Sequence, residues 1–215
     1  MSKKYELVRL MDMLEISGED GMKNFLSGFS CPMNDEITMF LEKNAVEFSK
    51  KKMSMTHFVV DSENRFQGYF ALTHKVIRVP AGIFSKNQLR RLSRHARPEI
   101  PEPEISMQDI SGMELNEEDK APVFTMSAFL IGQFSANFSI PKEDRISGDD
   151  LMQVVLDKLK DVQQEIGGEV VFLECEDRPE VLEFYKRQKF IEFGIRVSDS
   201  EIDRGSAYPQ LMRFV

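Results

Sequence analysis

The stretch Phe129-Leu130-Ile131-Gly132-Gln133-Phe134-Ser135-Ala136-Asn137, followed by Arg145-Ile146-Ser147-Gly148-Asp149-Asp150-Leu151, decides the reading of this chain. The first part is an apolar run with a glycine inside it, a composition suited to a buried central strand. The second opens a helix at Ser147-Gly148, where unpaired amides can meet an anion and glycine lets a backbone come close. Ser147 is equally a good N-cap, and Asp149 and Asp150 suit the positive end of a helix, by about 0.3 to 1 kcal/mol each. The junction alone is therefore open between a pyrophosphate cradle and an ordinary helix start.

Working outward toward the C-terminus, Leu151, Val154, Val155, Leu159 and Val162 form one helical face, and Gly167-Gly168 ends the helix. Glu169 to Glu174 is a buried-type strand, Pro179 to Lys189 a short helix, Ile191 to Val197 a strand, and Pro209 to Val215 a closing strand. Toward the N-terminus, Thr56 to Asp61 and Phe66 to Val79 read as a hairpin around Ser62-Glu63-Asn64-Arg65. Ile37, Phe40, Leu41, Ala45 and Phe48 make an amphipathic helix with Asn34 as its N-cap, and Tyr5 to Met11 is a first strand. The sum is an α/β chain with a mixed, mostly antiparallel sheet of six to seven strands flanked by helices.

The 215 residues fit one domain spanning 1–215 with an insertion at about 84–120. That insertion is internally polarised: Lys86 to Arg97 carries +5 and Pro98 to Lys120 carries −7, against a chain total of −8. The net charge argues against bulk attraction to nucleic acid or an anionic membrane, and no apolar run reaches the roughly 20 residues of a membrane span. Met1-Ser2-Lys3-Lys4 leads into charge before any apolar core of a secretory signal, so a cytoplasmic location is expected. Cys31 and Cys175 are far apart, and His57, His74 and His95 have no carboxylate or thiol at metal or triad spacing. No metal is expected, and both thiols read as reduced core residues.

The junction, taken with Val170 to Glu174 and with Phe184-Tyr185 through Lys189-Phe190, resembles the GCN5-related N-acetyltransferase superfamily over most of the chain. Leu130 to Asn137 is similar to its fourth strand, Arg145 to Asp150 to its Q/R-x-x-G-x-G/A loop, and Tyr185 to Phe190 to its Y-x-x-x-G-F ending. Phe29-x-Cys31, Val59-Val60-Asp61 and Gly68-Tyr69-Phe70-Ala71-Leu72 resemble, more loosely, the acetyltransferase toxins of bacterial toxin–antitoxin pairs. Two positions depart: Asp150 replaces the last Gly or Ala of the loop, and Lys189 replaces the Gly before Phe190. A carboxylate about 8 Å from a phosphate in water opposes it by only roughly 0.5 kcal/mol, which weakens binding without abolishing it.

The resemblance implies splayed central strands with acetyl-CoA entering between them. Backbone groups of Phe134, Ser135 and Ala136 would pair with the pantetheine arm, and amides of Arg145, Ile146, Ser147, Gly148, Asp149 and Asp150 would hold the pyrophosphate. Tyr185 stands where the family keeps the acid that meets the departing thiolate. The fourth strand offers no carboxylate, so Glu174 and Glu176 are the candidates for a base, acting directly or through water. The implied reaction is direct transfer of an acetyl group to a primary amine on a small molecule, a protein or an aminoacyl-tRNA. A homodimer and an antitoxin are the further partners it implies. Net charge disfavours the tRNA, and the acidic body leans toward a cationic amine. A catalytically silent acyl-CoA-binding or interaction module is the alternative, supported by Asp150 and Lys189.

Overall fold

A computed structural model describes residues 5–92, 98–99, 122–198 and 204–215. A short strand β1 (Glu6–Arg9) enters α1 (Leu10–Leu26), which is interrupted at Gly18, where φ is 69°. The strand expected to reach Met11 is thus cut at Arg9, because Leu10 is wholly buried as the first helical residue. Next come α2 (Asp35–Met39), a π-helical turn (Phe40–Asn44) and α3 (Ala45–Lys50). As expected, the Asn34 side chain caps α2 by accepting from the Glu36 amide at 2.8 Å. The hairpin β2 (Met55–Val60) and β3 (Phe66–Pro80) follows the expected pattern.

Within the region expected as an insertion, the described part holds α4 (Lys86–Leu92) and a two-residue strand β4 (Pro98–Glu99). His95, Arg94, Arg97 and most of the acidic stretch fall outside the described residues. The Leu89 and Leu92 side of α4 packs on the body as its periodicity requires. Arg91 is also tied there: its Nε donates to Glu169 at 2.5 Å, a second guanidinium nitrogen donates to the Val215 carbonyl, and the group lies over Phe214.

The remaining elements are β5 (Val123–Ala136), α5 (Gly148–Ile166), β6 (Val170–Glu174), α6 (Pro179–Arg187), β7 (Ile191–Val197) and β8 (Ala207–Phe214). They complete one mixed sheet in the order β1-β2-β3-β5-β6-β8-β7, with β4 on the start of β5. Among the described residues only the β5–β6 pair is parallel. One face carries α5 and α6, whose Leu151, Val155, Leu159 and Tyr185 pack on Phe70, Leu72, Phe129, Ile131, Val171 and Leu173. Fully burying one such leucine contributes about 2 kcal/mol. The N-terminal helices close a second core around Phe58, Phe66 and Tyr69, and α4 caps a third around Phe124, Phe172 and Phe193. Among the described residues no helix is long and apolar enough to cross a membrane.

Candidate functional site

The site is made by a failure of pairing. Strand β5 is paired with β3 along its length, from Val123 with Pro80 to Ala136 with Gly68. With β6 it pairs only at Phe129–Val171 and Leu130–Phe172. Beyond Leu130 the two neighbouring strands diverge, and the cause lies in the next residues. The β3–β5 register jumps between Ala71–Gln133 and Leu72–Ile131, leaving Gly132 as the extra residue of a β-bulge. A bulge bends its own strand and increases its twist, and β6 itself ends at Glu174, which its register would set opposite Gly132, so Gln133 to Ala136 have no β6 partner. Phe134, Ser135 and Ala136 therefore keep β3 on one edge and face a gap on the other. Gly68 permits this, since a Cβ there would stand 2.6 Å from the Ser135 carbonyl oxygen.

After β5, Asn137 locks the turn into the loop. Its buried amide donates to the Gly28 and Phe66 carbonyls and accepts from the Ser30 and Ser139 amides. The loop ends at Ser147, whose hydroxyl accepts from the Asp150 amide at 3.0 Å and donates to the Asp150 carboxylate at 2.7 Å. Three of the six amides expected to meet a pyrophosphate already have partners. Arg145 N donates to the Pro141 carbonyl, Ile146 N to the Gln67 side chain, and Asp150 N to Ser147. The amides of Ser147, Gly148 and Asp149, on exposed residues, have no hydrogen bond among the described residues.

The end of α6 stands beside this helix start. Arg187 and Gln188 both donate to the Asp149 carboxylate, at 3.2 and 2.6 Å, so one of the two acidic charges is paired. Phe184 covers Gly148, where a Cβ would meet the ring at 3.1 Å. The Arg145 guanidinium lies over Phe138 at 4.1 Å.

Tyr185 is 9% exposed and packed among Phe134, Phe184 and Phe190. Its hydroxyl has no hydrogen-bond partner among the described residues. Burial first, then Cys175 and Glu176, raise its pKa well above the ordinary phenol value. It is a proton donor held firmly in its protonated form. The Cys175 thiol is pushed up to about 12 by burial and by Glu192, Asp177 and Glu176, so it is not a nucleophile at neutral pH. Both cysteines are free and buried.

The two candidate carboxylates have different surroundings. Both oxygens of Glu174 are engaged, by Arg196 Nε at 2.6 Å and Gln210 Nε2 at 2.8 Å. Glu174 also lines a cleft of about 310 Å³ with Lys75, Ile77, Arg78, Phe172 and Phe193. By strand alternation this cleft lies on the sheet face opposite α5 and α6. Glu176 lies past the end of β6, accepting from Asn34 Nδ2 at 2.5 Å and Arg178 at 3.3 Å. Asn34 thereby bridges the start of α2 to the segment before α6.

Reading the sequence missed Gln67, the hydrogen-bonding role of Asp61 and the bridging role of Asn34. A glutamine inside an apolar strand and an aspartate before a turn carry no periodic signal; only the loop that comes to them reveals their purpose. His57 is buried against Phe70 and pushed down to about 4, chiefly by burial, and His74 is exposed. Among the described residues no group of three His, Cys, Asp or Glu is placed to hold a metal.

No protein-family model matches the chain, and no curated protein matches it by sequence. Solved structures do match over nearly its whole length. A tyrosine-to-phenylalanine variant of the AtaT toxin aligns with TM-score 0.57 at 15% identity, covering 98% of this chain and 89% of that one. A tyrosine-to-phenylalanine variant of KacT aligns with TM-score 0.58 at 15% identity, covering 99% and 95%. AtaT complexed with acetyl-methionyl-tRNAfMet aligns with TM-score 0.56 at 16% identity, covering 96% and 94%. This chain has the fold of the AtaT toxin and of KacT.

Proposed function

We propose that the protein is an N-acetyltransferase that moves an acetyl group from acetyl-CoA to a primary amine by direct attack. The observation that carries this reading is the gap between β5 and β6. It opens after Leu130, with three unbonded amides at the start of α5 and the buried Tyr185 beside it. In this reading the pantetheine arm adds to the free edge of β5 at Phe134 to Ala136. The pyrophosphate is held by Ser147, Gly148 and Asp149, with Arg145, Ile146 and Asp150 shaping the loop. Similar structures of AtaT bound to acetyl-CoA support the donor.

The amine approaches from the cleft on the opposite face, loses its proton toward Glu174 or Glu176 directly or through water, and attacks the thioester carbonyl. The tetrahedral oxyanion collapses and the C–S bond breaks. Tyr185, with a pKa above that of a thiol, stabilises the departing thiolate mainly by donating a hydrogen bond. Both oxygens of each carboxylate already accept hydrogen bonds, so the preference for Glu176 rests on its standing close enough to Tyr185 to raise the phenol's pKa.

The complexes that AtaT forms with acetyl-methionyl-tRNAfMet and with AtaR make toxin-like acylation of a charged tRNA one form of this function, with an antitoxin as partner. Small amines and protein amines are the others. The cleft has Lys75 and Arg78 on its wall, so the acidic total charge does not itself select a cationic acceptor.

The test offers acetyl-CoA with separate pools of small amines, peptides and aminoacylated tRNA, and follows free CoA thiol. Release with one pool identifies the acceptor class. Tight acetyl-CoA binding with no release on any pool leaves the silent binding module, and absence of binding by calorimetry removes the donor assignment. Growth arrest on induced expression, cured by Tyr185→Phe, is the expected outcome of the toxin form.

A further inference from the structure

We propose that Gln67 is a positioning residue for the pyrophosphate of the acyl donor, acting through the Ile146 amide; this rests on the donor reading above. Gln67 lies on β3 and is 0% exposed. Its Oε1 accepts from Ile146 N at 2.8 Å, and its Nε2 donates to Asp61 Oδ2 at 2.7 Å. Which end is oxygen is fixed by the partners, since an amide N–H can only donate and an ionised carboxylate can only accept.

Asp61 is itself anchored. Burial opposes its charge, but bonds from the Arg65 amide and guanidinium, from Gln67 and from the Glu63 amide outweigh it and hold the carboxyl at about 2. Arg65 also donates to Asp144 at 3.2 Å, giving the loop a second tie to the β2–β3 turn.

The network bears on binding because of where it stops. Ile146 immediately precedes Ser147, Gly148 and Asp149, the three residues whose amides have no hydrogen bond among the described residues. Amides that converge before an anion arrives spare the ordering cost that binding otherwise incurs. A leucine or methionine would fill this volume without needing two buried polar partners. The glutamine side chain instead holds the loop at the residue where the free amides begin.

The experiment measures the Kd for coenzyme A by calorimetry on the full chain. Gln67→Met is expected to raise Kd about tenfold, and the half-exposed Arg65→Met about two- to threefold. Val79→Ala, a core deletion some 40 Å away along β3, is expected to lower Tm and leave Kd unchanged. Gln67→Glu keeps an acceptor for Ile146 N but sets two carboxylates against each other; adding Asp61→Asn replaces that repulsion with a reversed hydrogen bond, while losing the Arg65 Nε bond to the same oxygen. The pair is expected to recover part of the affinity that Gln67→Glu alone loses.

An unchanged Kd in folded Gln67→Met overturns the proposal. An equal rise in Val79→Ala also overturns it, because the loss would then be general. If Gln67→Met does not fold, Arg65→Met decides: an unchanged Kd refutes the network. Absence of coenzyme A binding by the unaltered chain refutes the donor reading itself, a different result from any of these.

Discussion

Strand β5 has two edges, and they differ. Along β3 it forms a ribbon of thirteen register positions; along β6 it forms two. The long edge is built from features that stabilise: aromatic residues beneath it, a glycine at the tightest approach and a hydrogen-bonded turn at its end. The short edge leaves backbone groups without strand partners, a cost that a merely stable sheet would avoid. The ribbon is scaffold for the seam. The bulge at Gly132 and the end of β6 at Glu174 together leave the last residues of β5 with a strand partner on one side only.

The ribbon is most sensitive at Gly68. Gly68→Ala puts a Cβ 2.6 Å from the Ser135 carbonyl oxygen, a clash with backbone that cannot swing aside. It is expected to cost about 3 kcal/mol or more by urea unfolding and to weaken coenzyme A binding as the strand edge shifts. A loss of stability below about 0.5 kcal/mol would show that the ribbon tolerates movement and is not the rigid partner.

Acid should attack the ribbon side next. His57, on β2 and stacked on Phe70 of β3, is neutral in the fold because its pKa is lowered to about 4 from an ordinary 6.5. The unfolded chain binds the extra proton between those values. Stability is therefore full above about pH 6.5 and falls by about 3 kcal/mol as pH drops toward 4. His57→Phe is expected to flatten that part of the urea-midpoint profile. Asp61 acts in a lower window, its contribution being lost only as pH falls from 3.8 toward about 2.

On the seam side, Tyr185→Phe is expected to lower turnover about a hundredfold, or about 2.7 kcal/mol of barrier, with little change in acetyl-CoA affinity. Unchanged turnover would remove Tyr185 as the donor to the thiolate. The smallest effect concerns Lys189, which occupies a left-handed conformation with φ at 66°. Lys189→Gly is expected to stabilise by about 1 kcal/mol without changing activity. An activity change there would give the lysine a role beyond the turn.

The departures at Asp150 and Lys189 are thus different in kind. Asp150 turns its carboxylate to the Ser147 hydroxyl and closes the helix start, so its charge serves a cap. Lys189 takes the backbone conformation that glycine adopts more cheaply, and the Phe190 amide still bonds to the Tyr185 carbonyl.

By itself, the sequence determined the elements whose information is local. The alternation of β2 and β3, the helical stripe of α5, the Asn34 and Ser147 caps and the Gly167-Gly168 stop are each written within a few residues of where they act. It missed the early start of α1, because Leu10 and Met11 suit a strand as well as a buried helical turn. Tertiary structure alone decided which edge of β5 stays open and which loop amides are already bonded. It alone decided that Gln67, Asp61 and Asn34 meet partners up to 142 residues away. A hydrogen bond between distant segments depends on the path of the whole chain, and a lone polar residue in an apolar strand carries no local mark of the partner that satisfies it.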